Sequence, residues 1–323
     1  MQRLAGLGRA LISSQKRGAA GGQLSGWPLA RFLHAGLPVQ AAKEHLVKLR
    51  KKTGYSFVNC KKALEKFSDL KEAEAWLHEQ AQKEGWSKAS KLQGRKTTEG
   101  LIGLLQERNS AVMVEVNCET DFVARNAKFQ HLVQQAAIGA MLHHQGTRDQ
   151  LSTYAKCFLN SNELSQLRIE PDGSLLSDQL ALAIGKLGEN MVIKRAAWVS
   201  VPENLFIGSY VHGAFPEGNP SLSNMMFGKY GALVICSPSE ECQKSNFTEL
   251  GWRLGQHVVG MAPISVGSPE DEPGGDSETK MLAQPFLLDP TISLGQYVQP
   301  TGVSVLDFVR FECGEDTGLS ESE

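Results

Sequence analysis

The sequence predicts an α+β fold in which a small helical module precedes a core of two related subdomains. Three short apolar stripes at helical spacing fall between residues 46 and 84, enough for a compact three-helix module. Further on, a strand hairpin followed by an amphipathic helix occurs twice, about 118 residues apart. Each copy predicts a small antiparallel sheet packed with helices, because an apolar sheet face must be buried against another layer.

The helical module carries its own start and stop signals. Ser56 is a candidate N-cap for the second helix, and Asp69 with Glu72 resembles a capping box for the third. Residues 85–98 are basic and polar, which predicts a solvated linker between the module and the core. Contact of this linker with an acidic partner surface is the alternative.

The two copies of the core align at a single offset. Val116 aligns with Val234, and the helix positions Phe129 and Leu132 align with Phe247 and Leu250. The first subdomain is predicted at residues 99–200 and the second at residues 201–315. Residues 268–280 are rich in Pro, Gly and acidic side chains and predict a flexible acidic linker, and residues 316–323 form an acidic tail.

One loop of the first copy stands out. Val112, Val114 and Val116 alternate with other residues, which predicts a strand with one buried face. The pattern breaks at Asn117, and a polar loop carries a large apolar ring, Phe122, before the next helix begins with Asn126 as a candidate N-cap. Such a ring either folds back under its own loop or serves as an anchor for a partner, since aromatic residues are enriched among binding hot spots. Periodicity does not decide between the two.

Composition excludes several classes of protein. The hydrophobic fraction is 41% and the charged fraction 21%, as in soluble globular proteins, and no apolar run approaches the roughly 20 residues of a transmembrane helix. The six cysteines form no Cys-x-x-Cys pair, so neither a zinc site nor a disulfide framework is predicted. There is no glycine-rich phosphate loop of the P-loop type. We therefore predict a binding protein without enzymatic activity, cofactor or metal.

The amino terminus differs from the rest of the chain. The first 43 residues contain several arginines and lysines but no Asp or Glu, and their leucines share a helical face. This composition is typical of a mitochondrial transit peptide, which we place at residues 1–45, with the mitochondrial matrix as the destination. Without that segment, 27 basic and 34 acidic residues remain, a net charge of −7. A net-acidic body argues against direct nucleic-acid binding.

Three motifs resemble the elongation factor Ts family. Residues 117–126 closely resemble its signature E-V-N-C-x-T-D-F-V, and Lys186, Gly188, Glu189 and Asn190 match its K-x-G-E-N pattern. A third pattern, L-R-x-x-T-G-x-x-x-x-x-C-K-K-A-L, is met between Leu49 and Leu64. The resemblance extends over nearly all of residues 43–315.

The resemblance implies a function and a set of residues. Proteins of this family exchange guanine nucleotide on the GTPase EF-Tu, and they open with a ubiquitin-associated-like (UBA-like) three-helix module. By resemblance, the loop that inserts into EF-Tu is Thr120, Asp121, Phe122 and Val123. Further contacts with EF-Tu are implied for two groups of residues: Arg50, Phe57 and Val58 of the module, and Lys186, Gly188, Glu189 and Asn190.

The chain departs from the bacterial pattern at residues 268–280. Many bacterial members of the family carry a long coiled-coil hairpin there that helps to pair two chains. About a dozen polar residues cannot form such a hairpin. We therefore predict a 1:1 heterodimer with mitochondrial EF-Tu and no homodimer.

The sequence leaves two other classes of protein open. An adaptor that binds ubiquitin-like proteins or RNA would use the basic region at residues 43–96, although the acidic remainder argues against it. A purely structural subunit would bury Phe122 in its own core.

Overall fold

The structure is a computed structural model, and it describes residues 39–53, 55–144, 152–169, 173–213, 225–239, 246–275 and 277–316. Most of the predicted transit peptide and the acidic tail beyond residue 316 lie outside these residues. Among the described residues, no helix has the length and apolar character needed to cross a membrane.

Three helices form the amino-terminal module, as the sequence predicts. They are α1 (Val39–Thr53), α2 (Phe57–Lys66) and α3 (Leu70–Leu92). The Ser56 hydroxyl accepts a hydrogen bond from the backbone N–H of Asn59, and the Asp69 carboxylate accepts from those of Lys71 and Glu72. Both N-caps are thereby confirmed. A small apolar cluster joins the helices: Leu49, Cys60, Ala63, Ala73 and Leu77.

Two boundaries of this region differ from the prediction. Helix α1 begins at Val39, inside the segment assigned to the transit peptide. Helix α3 continues to Leu92, so the prediction of a solvated linker at residues 85–98 was wrong for its first eight residues. The physical reason is tertiary: Gly85 is buried, and Ala89 and Leu92 pack against the core cluster. Burial of one face stabilises a helix whose polar composition alone indicates a solvated segment.

The first subdomain contains a five-stranded antiparallel sheet in the order β3-β4-β2-β1-β6. Its strands are β1 (Glu99–Glu107), β2 (Ser110–Cys118), β3 (Ala155–Asn160), β4 (Met191–Ser200) and β6 (Met225–Gly228). Its helices are α4 (Asp121–Ala124), α5 (Ala127–His143), α6 (Ser161–Ser165) and α7 (Leu176–Leu187). The N-cap predicted at Asn126 is confirmed, since its side chain accepts from the backbone N–H of Lys128.

The second subdomain contains a three-stranded antiparallel sheet in the order β10-β7-β5. Its strands are β5 (Phe206–His212), β7 (Tyr230–Pro238) and β10 (Val303–Glu312), and a two-stranded ribbon follows with β8 (Pro285–Phe286) and β9 (Asp289–Ser293). Its helices are α8 (Phe247–Met261) and α9 (Leu294–Val298), with short 3-10 helices at Met281–Ala283 and Gln299–Thr301.

The predicted repeat is present in the structure. Val116 in β2 and Val234 in β7 are both buried beneath a helix, and Leu132 and Leu250 lie on the helices that cover them. Strand β6 follows β5 in the chain but pairs with β1 of the first sheet. The second half of the sequence therefore supplies an edge strand to the first subdomain.

The strand β2 is buried on both faces, so the prediction of a single buried face was wrong. Val112, Val114 and Val116 pack beneath α5, whereas Ala111 and Met113 pack in a cluster shared with the second sheet. The two sheets lie face to face, each covered on its outer side by helices. A strand in such a sandwich alternates between two apolar environments rather than between core and water.

Residues 268–280, predicted as a flexible acidic linker, make contacts within the segment and with the residues that directly follow it. Lys280 Nζ lies 2.8 Å from Asp271 Oδ1, and the backbone N–H of Gly274 donates to the carbonyl of Ala283. None of the described residues of this segment is α-helical.

A buried histidine helps to hold this part of the chain against α8. His257 Nδ1 accepts from the backbone N–H of Leu287, so Nε2 carries the proton and donates to Gln284 Oε1 at 3.1 Å. The Gln284 amide in turn donates to the carbonyls of Met261 and Glu278. Burial lowers the pKa of His257 from 6.5 to about 4, because the interior disfavours the charged form.

This depressed pKa predicts a pH-dependent stability. Between pH 6.5 and 4 the unfolded state binds the proton and the folded state does not, so stability falls as the pH is lowered. From pH 7 to pH 5 the loss should be about 2 kcal/mol. Denaturant unfolding at several pH values measures it. His257→Gln should remove this part of the slope, and an unchanged slope would contradict the assignment.

Candidate functional site

The predicted insertion loop is a single helical turn, α4, at the end of β2. The Thr120 hydroxyl caps it by accepting a hydrogen bond from the backbone N–H of Val123 at 3.4 Å. Val123 points inward and joins the core cluster, and Asp121 pairs with Arg125 at 3.3 Å. Phe122 points outward with 81% of its surface exposed. The alternative of a ring folded under its own loop is therefore excluded.

The base of the loop is held by the turn that follows α7. The Glu189 carboxylate accepts two hydrogen bonds from Thr120, at 3.1 Å from its backbone N–H and at 2.7 Å from its hydroxyl. In the opposite direction, the backbone N–H of Asn190 donates to Glu119 Oε1 at 2.6 Å. Gly188 makes this turn possible, because it ends α7 at φ +81°, a conformation that favours glycine. Two carboxylates thus join segments about 70 residues apart.

Glu119 and Arg95 also belong to this site, although neither was among the predicted site residues. Arg95 lies 3.4 Å from the Glu119 carboxylate, and its backbone carbonyl accepts from the Asn190 amide at 2.9 Å. The position of Glu119 inside the signature was the one available signal. Arg95 carried none, because its partners are remote in the sequence.

Lys186 lies between the module and the core. Its ammonium is 5.5 Å from the centroid of the Tyr55 ring, in the connection between α1 and α2. Burial, and then the nearby charge of Lys128, lowers its pKa below the ordinary value. The structure therefore places Lys186 at the junction of module and core.

The long helix α3 connects the module to the turn that holds the loop. A Cβ atom on Gly85 would lie 2.3 Å from the carbonyl oxygen of Ala181, so the backbones of α3 and α7 touch. On either side of this contact, Trp86 Nε1 donates to Asp178 and Lys88 Nζ donates to the carbonyl of Gly185. The module, α7 and the insertion loop are thus linked by direct contacts.

The predicted docking residues of the module form a second exposed surface. Phe57 and Val58, on the first turn of α2, have 53% and 58% of their surface exposed, and Arg50 is exposed on the last turn of α1. The opposite faces of the same helices are buried at Leu49 and Cys60. Exposed apolar side chains and arginines are both typical of protein-binding surfaces.

The end of β2, where the loop begins, carries a buried thiol, that of Cys118. Burial raises the pKa of the Cys118 thiol to about 12, so it stays protonated, and its Sγ donates to the carbonyl of Thr120. Within the described part of the chain, no group of three or more His, Cys, Asp or Glu side chains could hold a metal ion.

Comparison with known proteins identifies the family. The sequence model described as "Elongation factor Ts, mitochondrial, N-terminal" matches residues 30–87, and that described as "Elongation factor TS" matches residues 119–271.

Three relatives, each named "Elongation factor Ts, mitochondrial", illustrate the range of similarity. The chain is 69% identical to that of Homo sapiens over 286 residues, covering 88% of this chain and 86% of the relative. It is 68% identical to that of Mus musculus over 296 residues, covering 90% of both chains. It is 46% identical to that of Nematostella vectensis over 292 residues, covering 84% and 99%. With two family models matched and identities this high over most of its length, the chain belongs to the elongation factor Ts family.

Proposed function

We propose that this protein is the guanine nucleotide exchange factor of EF-Tu in mitochondrial translation. Membership of the elongation factor Ts family supports the proposal, and one structural observation carries it: Phe122 is almost fully exposed on a loop whose base is fixed. A large apolar ring in water has no folding role, whereas it is suited to fill a pocket on a partner.

The proposed mechanism displaces GDP by competition between conformations. The Phe122 ring enters an apolar pocket between helices of the nucleotide-binding domain of EF-Tu. Asp121 and the adjacent backbone then disturb the elements that hold Mg²⁺ and the β-phosphate. Because the factor binds the nucleotide-free conformation more tightly, it must weaken GDP binding by the same factor, and GDP must weaken its binding in return. GTP binding then releases the factor.

Hydrogen bonds to the turn after α7 order the base of the loop in the free protein, which supports this role. Glu189 and Asn190 fix residues 119 and 120 in the free protein, so the loop does not have to be ordered when the complex forms. Pre-organisation of this kind lowers the entropic cost of association. Arg50, Phe57 and Val58 supply a second area of contact on the module, which holds EF-Tu without acting on the nucleotide.

A GDP-release assay tests the proposed function directly. Mitochondrial EF-Tu loaded with a fluorescent GDP analogue is mixed with this protein and excess unlabelled GDP in a stopped-flow instrument. We expect the release rate to rise with the concentration of the factor and to saturate. A release rate that does not depend on the factor would overturn the proposal.

The complex is expected to contain one copy of each protein. The chain has about a dozen polar residues where bacterial members of the family carry the hairpin that pairs two chains. Multi-angle light scattering of the purified complex should give the mass of a 1:1 heterodimer. A stable 2:2 assembly at micromolar concentration would contradict this prediction.

We further propose that residues 1–45 carry the signal that directs the protein to the mitochondrial matrix, and that the part of them before helix α1 is then removed. The support is their composition, which is rich in arginine and nearly free of acidic residues. Because helix α1 begins at Val39, we expect cleavage upstream of that residue, so that the helix stays intact. Amino-terminal sequencing of the protein from isolated mitochondria should find a shortened chain. An intact Met1 in the matrix would refute the proposal.

A further inference from the structure

The carboxyl-terminal end of the described chain folds onto the strand that carries the insertion loop. At the end of β10 and just beyond it, residues 312–315 lie against Glu115 of β2 and against Lys194 and Arg195 of β4. We refer to residues 312–315, together with Glu115, Lys194 and Arg195, as the clasp. None of the clasp residues belongs to the predicted contacts with EF-Tu.

Glu115 is the centre of the clasp and is completely buried. Its Oε2 accepts from Arg195 Nε at 2.6 Å, and its Oε1 lies 3.6 Å from Lys194 Nζ. The same Oε1 accepts from the backbone N–H of Gly314 at 2.8 Å and from the Asn117 amide at 3.1 Å. A buried carboxylate is stable only with such compensation, so its partners are closely constrained.

A β-bulge brings two cations to this one carboxylate. In the pairing of β2 with β4, Glu115 is opposite Arg195 and Val116 is opposite Ile193, so Lys194 is an extra residue. An extra residue in a strand re-aims the neighbouring side chains, which allows both Lys194 and Arg195 to reach Glu115.

Glu315 closes the clasp from the other side. Arg195 donates to its carboxylate at 3.1 Å, Arg310 donates to it at 3.4 Å, and Lys194 donates to its backbone carbonyl. The Arg195 guanidinium also lies 4.3 Å from the centroid of the Phe311 ring. These contacts hold residues 312–315 in one conformation.

Only glycine can adopt the backbone path of the chain at position 314. The φ of Gly314 is +83°, and a Cβ atom would lie 2.4 Å from the carbonyl oxygen of Thr98, directly before β1. Any side chain at this position must therefore displace the segment from Glu115.

The clasp acts on the root of the insertion loop. Asn117, which donates to Glu115 Oε1, also lies 3.7 Å from the sulfur of Cys313. Two residues further along the chain, Glu119 accepts a hydrogen bond from the backbone N–H of Asn190, in the turn that follows α7. The chain from Asn117 to Thr120 is thus fixed by the clasp at its start and by the turn at Gly188 at its end.

The geometry points to a positioning role for the clasp: by binding Glu115 and Asn117, residues 312–315 set the direction in which Phe122 is presented to the GTPase. This inference rests on the proposed function of the Phe122 loop. The clasp itself does not touch the partner. It limits the conformations of the end of β2, so that the Phe122 ring is already oriented towards its pocket when the complex forms.

The test compares two glycine substitutions at opposite ends of the same strand. Gly314→Ala releases the clasp. Gly302→Ala, directly before β10, introduces the same methyl group at a similar φ of +66°, at the end of β10 opposite to the clasp, and serves as the control. Glu315→Gln is a milder second variant that keeps the backbone path and removes the charge opposite Arg195 and Arg310.

GDP release is measured over a range of concentrations of each full-length variant, alongside thermal melting. We expect Gly314→Ala to lower the maximal release rate about 10-fold and to change the half-saturating concentration by less than about 2-fold, because only the orientation of the loop is altered. Glu315→Gln should change the maximal rate in the same direction by a smaller factor. Gly302→Ala should lower the melting temperature without lowering the maximal rate.

A double variant shows whether the clasp acts through Phe122. In a Phe122→Ala background, Gly314→Ala should lower the maximal rate by less than about 2-fold further, since the ring that the clasp positions is gone.

Equal maximal rates for Gly314→Ala and Gly302→Ala would overturn the inference. So would a double variant in which the two substitutions lower the rate by the product of their separate effects. If Phe122→Ala alone slows release, failure of the clasp leaves the proposed function intact. If the unaltered protein does not accelerate release, the proposed function itself fails.

Discussion

Replacement of Phe122 by alanine should lower the maximal rate of catalysed GDP release about 10- to 100-fold and leave the melting temperature nearly unchanged. The ring is already 81% exposed in the folded free protein, so unfolding exposes little more of its apolar surface. Its removal should therefore cost little stability. If the ring is buried in EF-Tu, its loss should remove roughly 1.5–3 kcal/mol of interaction. Because that contact forms with the nucleotide-free state, the loss should slow exchange rather than weaken all binding equally.

A stopped-flow assay paired with a thermal melt measures both effects. Phe158→Ala is a matched control, because Phe158 is also an exposed phenylalanine but lies on strand β3. Asp121→Asn should have a smaller effect than Phe122→Ala, since it keeps the shape of the loop and removes only charge. A large drop in melting temperature with unchanged exchange would make Phe122 an ordinary structural residue.

Replacement of Glu115 by alanine should destabilise the fold by about 3 kcal/mol. The carboxylate is fully buried, and without it Arg195 and Lys194 lose their shared counter-charge while Gly314 and Asn117 lose a hydrogen-bond acceptor. Breaking a buried ion pair typically costs 3–5 kcal/mol, and the partial exposure of the two cations places this case at the low end. For a protein of this size the melting temperature should fall by roughly 5 °C.

Glu115→Gln separates charge from hydrogen bonding. It keeps an acceptor for Gly314, so its effect should be smaller than that of Glu115→Ala. Glu249→Ala is the control for loss of a carboxylate at the surface, where the pair with Arg253 is exposed, and should leave the melting temperature unchanged within error. Equal melting temperatures for Glu115→Ala and Glu249→Ala would show that the buried pair contributes nothing.

Local signals in the sequence were sufficient for much of the fold. The N-caps at Ser56, Asp69 and Asn126 are read from residues one turn apart, and the structure confirms all three. The duplicated hairpin and helix could be predicted because each copy repeats the same apolar spacing along the chain. Membership of the elongation factor Ts family was predicted from three short motifs and is confirmed by comparison with its relatives.

Other features could not be predicted, because they depend on which elements meet. The two-sided burial of β2 follows from a second sheet whose strands begin about 90 residues later, and the extension of α3 follows from its contact with α7. The residues around Glu119 in the sequence gave no indication that it forms a hydrogen bond with Asn190, 71 positions away.

The sequence by itself determined the local segments, the repeat and the loop that carries Phe122, since spacing, caps and turn residues act over a few neighbouring positions. Tertiary structure alone decided how that loop is held. Glu115 and Gly314 are 199 residues apart and yet share one hydrogen bond. A contact of that kind is set by the packing of the two sheets, which brings the two ends of the core together, and no local pattern records it.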